Sequence, residues 1–476
     1  LESSLAEVVS LAASLKEFLG TTHDKRYLLV FQNNAEMRAS GGFIGSFAIV
    51  DFRDGKIKNI EVPGGGSYDT EAGLKDKIIA PEPLHLVNPL WHFWDANWWP
   101  DWPTTARKLM WFYEKSDGST VDGVISFTPT VIEKMLRVIG PIDMTEQYGV
   151  IVDADNFWTV TQTFAEQKPD ETKAPKKIIG DLMTKIIAEL PSRLDQDAVI
   201  NLMKIADESL DEKQILFFFA DNELEKKIIG YGWGGEMKNS AGDYLMVVNT
   251  NIAGGKSDKK IEEKIYHDAE IAGDGSVIDT VRIERSHTGI KREEFTGVRN
   301  VDWMRIYVPS GSELVEAKGF NRPDAYYFGR PDISWEKDPS YKAEDRALVH
   351  KETGTKIYTE NNHTVFANWS MVDPGETIVI ELKYRLPFKI GQDERNNFWE
   401  GLKEFFGFDR KEFYPYSLLW QKQPGAKADH IESRLEADDN FHRVWSYPEN
   451  IGTEKGWNVS DYLGGDRYQT VLLEKK

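Results

Sequence analysis

Hydrophobic and polar positions alternate along this chain in two periods, and the change from one to the other divides it. The opening "LESSLAEVVSLAASLKEFLG" carries Leu5, Val8, Val9, Leu11 and Leu15 at helical spacing, with Gly20 as a stop, and predicts an amphipathic helix over 1–20. From Arg26 to about Gly149, strand and helix patterns interleave. "RYLLVFQ", "GSFAIVDF" and "VDGVISFT" are β-branched, aromatic and apolar, and "DGKIKNIEV" adds a turn and a strand. "TARKLMWFYEK" is helical by period, as is "PTVIEKMLRVIG", where Pro129 suits the first turn and Gly140 the C-cap. Residues 150–250 read as mainly helical before the strands "ILFFFA" and "DYLMVVNTNI".

After Gly255 the period shortens to two. "EEKIYHDAEI", "VIDTVRIERS", "WMRIYVP", "TVFANWSMV" and "TIVIELKYRLP" follow one another between Gly, Pro, Asn and Asp turns, a β-sandwich pattern. The expected organisation is therefore a helix at 1–20, an α/β core at 21–255 and an all-β, immunoglobulin-like sandwich at 256–476, with the boundary near "GGKSDK".

The 476 residues suffice for two or more domains, each with its own core. The absence of Cys excludes disulfides, thiolate metal sites and a Cys nucleophile. The nine His stand apart from one another, without an H-E-x-x-H pattern, and read as hydrogen-bonded or surface side chains. A net charge of −20 repels phosphate backbones, which argues against nucleic-acid binding. No apolar run approaches the ~20 residues of a membrane span. The chain starts at Leu1 rather than Met, so an N-terminal signal or anchor outside this sequence is an expectation, while zero Cys with fifteen Trp, eighteen Tyr and an acidic charge suits an extracytoplasmic bacterial protein. The sequons at Asn362 and Asn368 are assigned no role.

Two stretches carry candidate chemistry. "QNNAEMRASGGFIGSF", residues 32–47, is a polar hook running into glycines, and it matches neither a phosphate loop nor a dinucleotide fingerprint. Gly41, Gly42 and Gly45 fit a bulge or a close backbone approach. The alternative is a ligand reaching the bare backbone at Gly41 and Gly42, with Arg38 as a planar cation for phosphate or carboxylate and Asn33, Asn34 and Glu36 orienting it. The second stretch, "WHFWDANWWPDWP", sets five Trp among Asp95, Asn97 and Asp101 in an aperiodic loop. Either the indoles fill a core, or Trp98 and Trp99 stack on sugar rings while Asn97 and the carboxylates take hydroxyls. Asp95 and Asp101 suit Mg2+ ligation or acid and base roles, and Asp101 equally suits a helix cap.

"RYLLVFQNNAEMRASGGFIGSFAIVDFRDGKI", "DANWWPDWPTTARKLMWFYEK" and "VDGVISFTPTVIEKMLRVIGPI" resemble the bacterial, membrane-anchored domain of unknown function 4012. "DYLMVVNTNIAGGKSD", "WMRIYVPSGSEL", "YRLP" and "QKQPG" resemble its later part. More remotely, the order of "MRASGGFIGSFAIVDF", "DGKIKNIEVPGGGSYD", "DANWWPDWP" and "VDGVISFTPTVIEKMLRVIG" is similar to the LytR-CpsA-Psr domain, which transfers lipid-pyrophosphate-linked glycopolymers to cell walls. That resemblance implies an α/β/α core and a Mg2+-dependent phosphotransferase site. Arg38 would face the pyrophosphate, and Asp95 or Asp101 would hold Mg2+ or act as base. The Pro-Arg-Asp turn of that domain is replaced here by "VPGGGSYD", where Asp69 and the amides of Gly64 to Gly66 would have to contribute. The expected partners are a polyprenyl-pyrophosphate-linked glycan or cell-wall glycan. The competing expectation is a non-catalytic envelope module that binds glycan or protein through the Trp loop and the sandwich.

Overall fold

The computed structural model describes residues 13–167, 175–341, 343–391 and 413–476. It is a mixed α/β protein with strands in several sheets. The chain forms two compact units. The first comprises Leu1–Glu236 with Arg330–Lys337 and Pro424–Ala426, and the second Met237–Gly329, Asp338–Gln423 and Lys427–Lys476. The division thus precedes "GGKSDK". Asp243–Val248, expected in the α/β core, has all six residues buried in a sheet of the second unit, which explains its unbroken apolar run.

The first unit is built on a five-stranded sheet whose central strand, Lys25–Asn33, runs antiparallel to Phe43–Arg53 and parallel to Gly123–Phe127. Lys56–Glu61 and Ile215–Phe219 form the edges. A parallel pair needs a long crossover, and here it includes the helix Trp102–Lys115. That helix buries Trp102, Ala106, Leu109 and Phe112 along one face. Pro129–Ile139 is the next helix, opened by its proline and closed at Gly140 with φ +81°, as the sequence predicts. At the N-terminus only 13–18 is described as helix. Phe18 there packs on Tyr27, Phe52 and Phe219, whereas Leu5, Val8, Val9 and Leu11 lie outside the described residues.

The second unit holds a six-stranded and an eight-stranded sheet. Inward side chains of both, among them Ile265, Val281 and Leu382 from one and Met304, Phe366 and Leu418 from the other, share one apolar core. Ile261–Ile271 alternates buried with mostly exposed residues and Ser276–His287 buried with half-buried ones, which is what one buried face requires. Among the described residues, no helix is long and apolar enough to cross a membrane.

The glycines of the hook differ in what they do. Gly45 is the unpaired residue of a bulge, since Phe31 pairs with Ser46 and Gln32 with Ile44, but a Cβ there would meet nothing closer than 3.7 Å. At Gly42 a Cβ would lie 2.3 Å from the Asn33 carbonyl carbon, inside any allowed contact. Gly42→Ala is therefore expected to cost about 2 kcal/mol or more in urea unfolding of this unit, and Gly45→Ala less than about 0.5 kcal/mol.

Candidate functional site

The hook and the Trp-rich loop meet through a buried polar network. Gln32, at the end of the central strand, donates from Nε2 to the Ser40 carbonyl (2.9 Å) and to Ser126 Oγ (2.5 Å). Its Oε1 accepts from the Gly42 amide (3.3 Å) and from Asn97 Nδ2 (2.7 Å), which also donates to the Gly42 carbonyl (2.7 Å). Gln32, Ser40 and Asn97 are fully buried, so each bond is made where water cannot replace it. Asn97 thus holds the Trp loop to the hook.

Arg38 is buried as well, and its guanidinium lies between two acids. Nη2 stands 3.2 Å from Glu36 Oε1 and 3.2 Å from Asp95 Oδ1, and Nε reaches the same Asp95 oxygen at 3.3 Å. Burial by itself would lower the guanidinium pKa, but the two carboxylates outweigh it and hold the value above the ordinary one. At Asp95 burial dominates and raises the pKa, Arg38 opposes the rise and Glu36 adds to it. The two directions agree once one cation is shared between two acids, since neither carboxylate receives its full charge.

The remaining expected site residues are also engaged. Asn33 Oδ1 accepts from the Ala35 amide (3.1 Å), and Asn34 Nδ2 donates to Thr130 Oγ1 (3.1 Å) and to the Gly425 carbonyl (3.0 Å). Gly425, in "QKQPG", has φ +71°, and a Cβ on it would lie 2.4 Å from the Gly41 carbonyl oxygen. Gly41 itself adopts φ +148° against the Gln32 side chain. Asp69 accepts from the Gly65 amide (2.9 Å), while the Gly66 amide donates to the Pro63 carbonyl (3.0 Å). The glycine loop proposed as an anion nest therefore already wraps a carboxylate of its own. Asp101 caps the 102–115 helix, accepting from the Thr104 amide (3.1 Å) and hydroxyl (2.6 Å).

Trp98 and Trp99 expose 1% and 4% of their surfaces, and Trp91 and Trp102 none. Trp91 donates to the Asp95 carbonyl (2.9 Å), so the loop folds its indoles inward around its own backbone. The core reading of the Trp residues is the one this geometry matches.

Residues 23–165 match a family model described as protein of unknown function (DUF4012). This stretch is a DUF4012 domain. It contains the hook, the Trp loop and the helix Pro129–Ile139, while the later segments "DYLMVVNTNIAGGKSD" through "QKQPG" fall outside the matched range. No curated protein matches the chain. Solved structures with some likeness include protein gbs0355 from Streptococcus agalactiae, at 10% identity over 47% of this chain and 76% of that one with a TM-score of 0.25. Protein Lin1025 from Listeria innocua shows 11% identity over 47% and 86%, with a TM-score of 0.24. An M1 zinc metallopeptidase from Deinococcus radiodurans shows 10% identity over 46% and 39%, with a TM-score of 0.17. Likeness this slight bears on neither fold nor function.

Outside the DUF4012 domain, two features of the second unit escaped the sequence reading. Asp243, His267 and Asp279 converge in its core, although the His had been read singly. The signal was present in the alternation, because His267 and Asp279 occupy inward positions of strands whose inward residues are otherwise largely apolar. At the surface, Trp445 and Tyr447 project from the edge strand Phe441–Tyr447, and Tyr468 is the diagonal neighbour of Tyr447 on Arg467–Lys475. They expose 46%, 54% and 46% of their surfaces, and Tyr326, Tyr327 and Tyr462 are further exposed aromatics of this unit.

Arg38→Ala should destabilise the first unit by about 3–5 kcal/mol in urea unfolding, because it strands two acids beside an emptied cation position. Asp101→Ala should cost about 0.5–2 kcal/mol, the worth of a helix cap. An Arg38 held only for a ligand would be neutral to stability.

Proposed function

We propose that the chain is an extracytoplasmic cell-envelope protein that binds glycan without catalysing transfer. The observation that carries this reading is the Arg38 ion pair. A pyrophosphate needs several uncompensated cations or donors once water is excluded. The hook has one cation, and that cation already faces Glu36 and Asp95 in the interior. A doubly charged ligand brought to this place would meet two carboxylates before it met a net positive charge.

In this reading the first unit retains the element order of a LytR-CpsA-Psr-like α/β/α core whose arginine has become an internal strut. The second unit is an immunoglobulin-like sandwich that supplies the binding surface. Mg2+ has no part in binding. The Trp loop, named first as a glycan platform from the sequence, gives way to Trp445, Tyr447 and Tyr468. Exposed aromatic rings on one flank of a sheet can stack on the apolar faces of sugars. The net charge of −20 favours an uncharged polymer over an anionic one.

The test is co-sedimentation of the purified chain with insoluble cell-wall glycan, with and without Mg2+. Binding should be independent of the metal and should weaken about tenfold in Trp445→Ala, equivalent to about 1.4 kcal/mol. Mg2+-dependent capture of a polyprenyl-pyrophosphate analogue by the native chain, with no glycan binding, would overturn the reading in favour of a transferase.

A further inference from the structure

The core of the second unit contains charge that its fold does not neutralise by hydrogen bonding. Two buried acid sites can be compared. Around Arg285, the guanidinium lies 3.0 Å from Glu263 and 3.1 Å from Asp302. Glu263 also accepts from Asn249 Nδ2 (3.0 Å), and Asp302 from the Thr250 amide (2.6 Å). That site has an internal cation and donors for both acids.

The second site has a histidine where the first has an arginine. His267, on Ile261–Ile271, and Asp279, on Ser276–His287, point inward from neighbouring antiparallel strands of the six-stranded sheet. Asp243, at the start of Asp243–Val248, belongs to the eight-stranded sheet. His267 Nε2 lies 3.4 Å from Asp243 Oδ2 and 3.8 Å from Asp279 Oδ2, and one ligand atom from each residue falls within 4.8 Å of the other two. All three side chains are buried. Asp243 is held by Tyr416, whose hydroxyl donates at 2.5 Å, and by the Tyr244 amide at 2.7 Å. His267 Nε2, both carboxylate oxygens of Asp279 and the hydroxyl of Tyr384, which stands opposite Asp279 in register, make no hydrogen bond of good geometry, although His267 and Tyr384 both lie close enough to Asp279 to interact with it. A buried carboxylate without a donor costs several kcal/mol.

We infer that Asp243, His267 and Asp279 form a structural site for a divalent transition-metal ion of the zinc class, clamping the two sheets of this unit together. Zinc takes imidazole nitrogen and carboxylate oxygen at about 2.0–2.2 Å, so tetrahedral ligand atoms stand roughly 3.4 Å apart. The His267–Asp243 spacing already has that value, His267–Asp279 is 0.4 Å longer, and all three ligand atoms lie within 4.8 Å of one another. Two carboxylates and a neutral imidazole make a dication electrically neutral in the core. On binding, the Nε2 lone pair goes to the metal and any proton on Nε2 is released to solvent. The other ring nitrogen, Nδ1, lies 3.3 Å from Ser433 Oγ, which also accepts from Trp457 Nε1 at 2.9 Å. That partner is the outer support that fixes the ring of a metal-bound histidine. The inference is independent of the glycan-binding proposal.

The full chain, unfolded in guanidinium with EDTA, is refolded with zinc or with chelator, freed of loose ion and analysed by mass spectrometry for metal. About one zinc per chain is expected, with a melting temperature above that of the chelated sample. Asp279→Asn and His267→Ala should lose the zinc, and cobalt refolded in its place should give visible tetrahedral absorption absent from both variants. The outcome that overturns the inference needs no variant to fold. It is a natively folded wild-type chain, by circular dichroism, that retains no zinc or cobalt and melts at the same temperature with and without chelator.

Discussion

A guanidinium cannot be taken out of water alone, and the first unit is organised around that constraint at Arg38. Its two acids come from different places, Glu36 from the same hook and Asp95 from the Trp loop 57 residues away. The pairing therefore fixes where the loop crosses the sheet end, and the Gln32–Asn97 bonds lock the same junction beside it. Once the junction is made, the indoles of 91–102 have an interior to fill and Asp101 is placed to start the next helix. Gly42 is required because the chain returns over its own backbone there, and at Gly41, with φ +148°, a Cβ would meet the Gln32 side chain.

What could be read from the sequence follows the range of the interactions involved. Strands and helices were legible because their periods are local, and so were Pro129, Gly140 and the bulge at Gly45. The helix cap at Asp101 was legible too, as one of two roles its position allowed. The second partner of Arg38 was not, since nothing near residue 38 indicates that Asp95 joins Glu36 at its guanidinium after folding. An arginine before a glycine run looks the same whether it faces a ligand or an internal acid. The five Trp posed a similar ambiguity, settled only by which way the loop closes. In the second unit the alternation did mark His267 and Asp279 as inward, but reading the histidines one at a time concealed that Asp243 joins them from another sheet.

The two units handle buried charge differently. In the first, an arginine serves two carboxylates. In the second, Arg285 does the same for Glu263 and Asp302, whereas Asp279 shares His267 with Asp243. Polar groups retained in a β core in spite of their desolvation cost are explained by a counter-charge, and an arginine or a metal dication can each supply one. The residues that look catalytic in the sequence make internal contacts in the first unit, and the second unit holds the buried cluster of Asp243, His267 and Asp279.

The most direct test of this account is a double-mutant cycle between Arg38 and Asp95, read by urea unfolding of Arg38→Ala, Asp95→Ala and the combined variant. If the ion pair organises the junction, the combined variant will be less damaged than the sum of the single ones, with a coupling of about 2 kcal/mol. Additivity within about 0.5 kcal/mol would mean that the two side chains act independently, and would contradict the structural role assigned to Arg38.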